Sequence, residues 1–319
     1  MLARVKQLVR RRLRGMQWSG CYPIVLPHVW LSDVDGSVAL CDGTRTMRQV
    51  SQKGGLPLEQ IIGWHDEELI VIWPKALVHG PLVQDDRPRT VVVSPHPDDA
   101  AFSVGGMMLR QAATSRVVVL DVFTHTAWWR YGEPDPDRVV AMRYAEEKLM
   151  SRLAGVELRM LGLPEALLRG YELGQVFAAQ PGKADLRVAA EIGATVRTLA
   201  AEWPGAQWWL PMGIGGHLDH RLVRDTAANA LQTAGVTGVR FYEDQPYAAE
   251  GCNLVDSGNW AGRPRVSLDV DISGWLRWKL ELCRVYASQI TWPRIRSLGG
   301  YARRIGRGRA VERLWGSGA

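Results

Sequence analysis

Cysteine is scarce in this chain and poorly spaced for crosslinks: Cys21, Cys41, Cys252 and Cys283 lie far apart and form no C-x-x-C pair. That spacing excludes a zinc ribbon or a disulfide framework and points to reduced thiols in a cytoplasmic protein. Long apolar runs are missing too. No segment approaches the roughly 20 apolar residues needed to span a bilayer, and the positive N-terminus is not followed by the apolar core of a signal peptide. A soluble protein without stable membrane insertion is expected. The spaced glycines of a phosphate loop are absent, which removes nicotinamide and flavin chemistry. The net charge of +6 resides largely in arginines at the two ends, Arg4 to Arg14 and Arg303 to Arg309, without interleaved aromatics. Such ends read as solvated surface rather than a nucleic-acid interface.

At 319 residues the chain can form one large α/β domain with a small appendage. Residues 1–86 are expected to hold a basic N-terminal helix, with Leu2, Val5, Leu8 and Val9 at helical spacing, and a small β-rich appendage containing Pro23–Leu26 and Glu68–Trp73. After a polar linker, strand and helix candidates alternate. Strands are read at Thr90–Val93, Arg116–Phe123, Glu157–Leu161, Gln207–Leu210 and Val239–Tyr242. Helices are read at Phe102–Thr114, Pro136–Ala154, Ala184–Trp203 and Leu218–Ala234. This alternation predicts a Rossmann-like, doubly wound, mostly parallel sheet over 87–290, with 291–319 as a basic C-terminal tail packing on it or extending from it.

The first core strand ends in Pro95-His96-Pro97-Asp98-Asp99, one imidazole and two adjacent carboxylates placed where open α/β sheets bind ligands. The fourth is followed by Gly215-Gly216-His217-Leu218-Asp219-His220, so both clusters share the carboxyl-end rim. Hydrolytic zinc takes three His or carboxylate ligands, and His96, Asp99 and His220 supply such a set. Asp98 is then a candidate base and His217 a candidate oxyanion partner or acid. Asp219 either orients an imidazole or caps the helix that begins there. Ser103-Val104-Gly105-Gly106 would let the next helix pack close to strand and loop. Trp128, Trp129 and Arg130, after the second strand, are candidate substrate contacts, as stacking faces for a sugar or aglycone or as ordinary loop packing. His125 stands beside them without a demanded role. Arg143 and Glu146 read as an ion pair on a helix surface.

These residues resemble the zinc-dependent N-deacetylases of the GlcNAc-phosphatidylinositol de-N-acetylase and LmbE-like type, over about Arg89 to Gln289. Five places carry the resemblance: Pro95 to Asp99 with Ser103-x-Gly-Gly, Arg143-x-x-Glu146-Glu147, Leu161-Gly-Leu-Pro-Glu165, Gly216-His-x-Asp-His220 and Tyr286-Ala-Ser-Gln289. The resemblance implies His96, Asp99 and His220 as zinc ligands, Asp98 as general base and His217 as electrostatic or acid partner. Tyr242 to Tyr247 also resembles a segment of some members. Two positions depart from the pattern. Ala100 stands where many members have Glu, and Gly215 where some have a Tyr, which removes one donor to the substrate carbonyl.

The resulting expectation is a zinc-dependent hydrolase that removes an N-acyl, chiefly N-acetyl, group from an amino-sugar-containing small molecule or natural-product intermediate. Its partner is the small N-acetylated sugar or glycoconjugate, and self-association into a homo-oligomer is left open. An amidase acting on a thiol or other conjugate, and a non-catalytic binding module on the same fold, are the alternatives; the intact catalytic set weighs against the second.

Overall fold

A computed structural model describes residues 20–31, 36–75, 83–132, 135–252 and 266–316. The N-terminal basic helix expected before residue 16 lies outside the described residues. The chain divides into two compact units at residues 78/79.

In the first unit, β1 (Tyr22–Val25) pairs antiparallel with β2 (Ile70–Trp73). These are the two strand-like pieces expected there. Between them lie two helices that the sequence reading did not assign, α1 (Met47–Gly54) and α2 (Leu58–Asp66). α1 starts from a capping box, Thr46 accepting from the Gln49 amide while the Gln49 side chain accepts from the Thr46 amide.

The second unit contains a seven-stranded sheet of order β5-β4-β3-β6-β7-β9-β8. Its parallel part is β3 (Thr90–Ser94), β4 (Val117–Asp121), β5 (Glu157–Met160), β6 (Gln207–Pro211) and β7 (Val239–Tyr242). The connecting helices are α3 (Asp99–Ala112), α4 (Pro136–Ala154), α5 (Lys183–Glu202) and α6 (Leu218–Thr233). Each lies within a few residues of its expected place. β3 is buried at all five positions, as a continuous apolar run in mid-sheet requires. From β3 the chain winds outward through β4 to β5, and from β6 in the opposite direction to β7, so the strand order reverses between β3 and β6. A reversal of this kind opens a crevice at the strands' carboxyl ends.

Within the stretch expected as a basic tail packing on the domain or extending from it, the described residues form a helix and a strand of the sheet. After β8 (Val266–Asp271) and α7 (Leu276–Arg284) come α8 (Trp292–Ile305) and β9 (Val311–Gly316), and β9 inserts antiparallel between β7 and β8. Its charges mislead. Glu312 is buried, pairs with Lys279 at 2.6 Å and accepts from the Gly106 and Met107 amides at 3.0 and 2.7 Å. The close packing expected of the Gly105-Gly106 pair is made against this C-terminal segment rather than against β3. A Cβ on Gly106 would sit 2.8 Å from Ile272 Cδ1, and one on Gly105 3.4 Å from Lys279 Cγ. No described helix is long and apolar enough to cross a membrane.

Candidate active site

The loop after β3 is set by its own hydrogen bonds. Ser94 Oγ donates to the His96 carbonyl at 2.7 Å and accepts the Ala100 amide at 3.1 Å, while Asp99 Oδ2 accepts the His96 amide at 2.9 Å. Holding this turn places Asp98 at φ 124°, ψ −36°, a region that costs a non-glycine residue of order 1–3 kcal/mol. Strain of this kind persists where the surroundings over-determine it. Here they do so through Arg143, whose Nη1 donates to Asp98 Oδ2 at 3.0 Å.

Across the crevice, α6 begins at the end of the loop that follows β6. The side chain of His217 caps it, Nδ1 accepting the Asp219 amide at 3.2 Å. Its neutral tautomer therefore carries the proton on Nε2. Asp219 does not cap. It is fully buried, accepts from Arg169 Nη2 at 2.6 Å and from the Ala166 amide at 3.0 Å, and lies 3.0 Å from His96 Nε2. Of its two expected roles, the contact matches the orientation of an imidazole.

The two imidazoles share an arrangement that tests the fit of a metal. His96 has Nδ1 3.1 Å from Asp99 Oδ2 and Nε2 3.0 Å from Asp219 Oδ2. His220 has Nδ1 2.6 Å from Asp244 Oδ1 and Nε2 3.3 Å from Asp99 Oδ2. A neutral imidazole has one N–H and one lone pair, so each ring turns a lone pair on a carboxylate unless it gains a proton or a cation intervenes. The electrostatics show the same demand. Burial alone would lower the His96 pKa, yet hydrogen bonds to Asp219 and Asp99 raise it to about 9. His220 is likewise driven well above its ordinary value, the charge of Asp99 and the bond to Asp244 overcoming burial. Asp99 is held well below the carboxylate range, because His220 and His96 outweigh its burial.

One ligand atom each from His96, Asp99 and His220 lie within 4.8 Å of one another, a donor set suited to a divalent ion with positions left for water and substrate. His96, His217 and Asp219 form a second compact triple. Both oxygens of Asp219 and the Nδ1 of His217 are already engaged by N–H donors, which favours the first set.

Asp98 stands apart from these pairs. Burial raises its pKa to about 6 against the opposing pull of Arg143, so it exchanges a proton near neutrality. His217 is depressed to about 3, first by burial and then by the nearby charge of His220 and His96. The ring is thereby held neutral, with its one N–H on Nε2.

A cavity of about 260 Å³ opens onto His96, Asp98, Asp99, His217, Asp219 and His220. Trp128 lines its rim, 38 % exposed. Trp129 and Arg130 do not line it. Trp129 packs edge-on against Tyr131, and Arg130 Nε donates to the Ala287 carbonyl. His125 lies outside as well, its backbone bonded to Leu163 and Glu165.

Two contributors escaped the sequence reading. Arg143 is not a surface residue: it is 3 % exposed and its ion pair is with Asp98. Asp244 accepts from the Met212 and Ile214 amides at 3.0 and 2.9 Å while facing His220, fixing the loop after β6 and the imidazole together. Its signal was available in the segment that follows β7, the neighbour of β6. The helix motif and the late Tyr286 motif also prove to be partners. Glu146 accepts from the Ser288 amide and hydroxyl at 2.9 and 2.6 Å, and Glu147 accepts from the Tyr286 hydroxyl at 2.5 Å.

Known proteins similar to this chain identify its family. Residues 91–231 match the PIG-L family, described as GlcNAc-PI de-N-acetylase. A 2'-N-acetylparomamine deacetylase of Streptomyces fradiae is 36% identical over 242 residues, covering 73% of this chain and 82% of that protein. Among solved structures, the zinc-inhibited form of teicoplanin deacetylase shares the fold with TM-score 0.58 at 23% identity, over 71% of this chain and 97% of that one. A deacetylase of the A40926 pseudoaglycone does so with TM-score 0.59 at 23% identity, over 72% and 97%. By the family pattern and the similarity to the Streptomyces enzyme, this chain belongs to the GlcNAc-PI de-N-acetylase (PIG-L, LmbE-like) family.

Proposed function

We propose that the protein is a zinc-dependent deacetylase that hydrolyses the N-acetyl group of an amino-sugar-containing natural-product intermediate. The observation that carries the reading is the convergence in one cavity of two imidazoles sharing Asp99 with a separate carboxylate, Asp98, that neither imidazole engages. The Streptomyces relative, named for its action on 2'-N-acetylparomamine, supports the amino-sugar class.

His96, Asp99 and His220 would hold the zinc, whose contribution there is Lewis acidity toward water and the acyl carbonyl. Asp98 takes the proton of the attacking water, its pKa of about 6 leaving it largely ionised at neutral pH and still able to hold a proton once formed. Arg143 keeps that carboxylate aimed and charged between turnovers. His217 presents Nε2–H to the oxygen that becomes anionic, without needing a charge of its own. Asp98 then returns its proton to the leaving nitrogen. Asp219 and Asp244 accept the outer ring N–H groups and so fix which nitrogens face Asp99.

The test is acetate release from a panel of N-acetylated amino sugars by zinc-replete protein. Asp98→Asn is expected to keep its zinc and lose turnover by roughly 10²–10⁴-fold, whereas His220→Ala loses the zinc. Near-normal turnover by Asp98→Asn would defeat the assignment.

A further inference from the structure

Gly215, two residues before His217, has no side chain, and the ring of another residue fills the space beside it. A Cβ built on Gly215, whose φ is +85°, would lie 2.8 Å from Cγ of Tyr247 and 3.0 Å from its Cβ and Cδ1. The ring of Tyr247 therefore occupies the room that a side chain at 215 would need. It reaches that room from the loop after β7 rather than from the loop after β6.

Tyr247 is also a lining residue of the catalytic cavity. Its ring packs edge-on against His220 at 5.7 Å and against Phe177 at 5.8 Å, and Phe177 in turn packs against His217 at 5.3 Å between centroids. Tyr247 and His217 thus belong to one ring cluster, each packed against both Phe177 and His220. Among the described residues no group hydrogen-bonds the Tyr247 hydroxyl. A half-buried phenol on the cavity wall with no partner among the described residues leaves its O–H for whatever enters the cavity.

We propose that Tyr247 is a catalytic residue whose hydroxyl donates a hydrogen bond to the substrate's acyl oxygen, in company with the Nε2–H of His217. This rests on the deacetylase reading. Two donors converging on one oxygen make an oxyanion hole. Their effect grows as the carbonyl oxygen takes up negative charge, so it falls on turnover rather than on ground-state binding.

The experiment compares Tyr247→Phe with the wild-type zinc enzyme on an N-acetyl amino sugar that the wild type hydrolyses, and on its N-trifluoroacetyl counterpart. Phe keeps the ring against His220 and Phe177 and removes only a hydroxyl without a partner, so the thermal midpoint is expected to stay put. For the acetyl substrate kcat should fall about 10²-fold with KM changed less than about 3-fold. For the trifluoroacetyl substrate the loss should shrink about 10-fold, because the electron-poor acyl group leaves less basic charge on the oxygen. A ring that serves only as packing would give equal kcat in both proteins, and that result overturns the proposal while leaving the deacetylase reading intact. A rise in KM with kcat unchanged overturns it as well, by showing a contact equal in ground and transition states. A wild type that releases no acetate from any amino sugar overturns both readings together.

Discussion

Asp98 invites a test of strain that does not depend on turnover. Its backbone sits at φ 124°, ψ −36°, where an L side chain is disfavoured, and its carboxylate pairs with the buried Arg143 at 3.0 Å. Asp98→Ala and Asp98→Gly both delete the carboxylate and leave Arg143 without that partner, a shared cost that cancels when the two variants are compared. Only alanine keeps a Cβ in the strained position. At an ordinary site the glycine variant would be the less stable by about 0.5–1 kcal/mol, because glycine loses more chain entropy on folding. Here relief of about 1–3 kcal/mol of strain should reverse the order. About 2 kcal/mol of strain less about 0.7 kcal/mol for glycine's entropy leaves roughly 1.3 kcal/mol, so at roughly 2–4 °C per kcal/mol for a domain of this size Asp98→Gly should melt roughly 3–5 °C above Asp98→Ala. The assay is thermal unfolding of both variants in the presence of a chelator, so that bound metal does not enter the difference. An alanine variant as stable as the glycine variant, or more so, refutes the claim that this backbone is strained.

The other predictions concern the surrounding charges. Asp244→Asn keeps the size of the side chain but deprives His220 Nδ1–H of its charged acceptor, and should weaken zinc binding by about 10–100-fold in a chelator competition; unchanged affinity would show that Asp244 serves only the loop after β6. Glu147, fully buried beside Asp121, has its pKa raised to about 8 by burial, even though the bond from Tyr286 pulls it down. A carboxyl raised above its unfolded value of about 4.5 binds its proton more tightly in the folded protein. Its contribution is therefore complete below about pH 4.5 and is lost as pH rises through about 8. Glu147→Gln should flatten the decline of the thermal midpoint over that window, and an unaltered slope would place the linked proton elsewhere.

How much of this was legible in the sequence depended on how local each signal was. The buried run of β3 and the His-Pro-Asp-Asp turn lie in one contiguous stretch, and His217 and His220 follow β6, so fold and candidate ligands could be read together. Arg143 could not be. Its spacing to Glu146 matches a surface pair, but both side chains point into the protein, toward Asp98 45 positions away and Ser288 142 positions away. β8 and β9 failed as strands for a related reason. β8 is exposed along most of its length, so no buried alternation marks it, and of the charges of β9 Glu312 is met by partners from α3 and α7 and Arg313 by Asp269 of β8. Trp129 and Arg130 share a segment with Trp128, and sequence proximity alone cannot say where a loop turns away from a rim.

The adjacent carboxylates show why the division of labour depends on the fold and not on the motif alone. Asp98 and Asp99 are chemically identical and separated by one peptide bond, yet their pKa values are driven in opposite directions. Asp99 opens α3, binds back to the His96 amide and faces two imidazoles, so its negative charge is stabilised from three sides. Asp98 is turned by its positive φ toward Arg143, which offsets only part of what burial costs the ion. Two like carboxylates whose environments push them apart are the arrangement in which one can hold a cation and its neighbour can move a proton. Exchanging the roles would require Asp98 to leave Arg143 and face His96, and the strained turn that orients it prevents this. On the proposed mechanism, Arg143, a residue on a different helix and outside the motif, is what keeps the surplus carboxylate apart from the imidazoles and available for proton transfer.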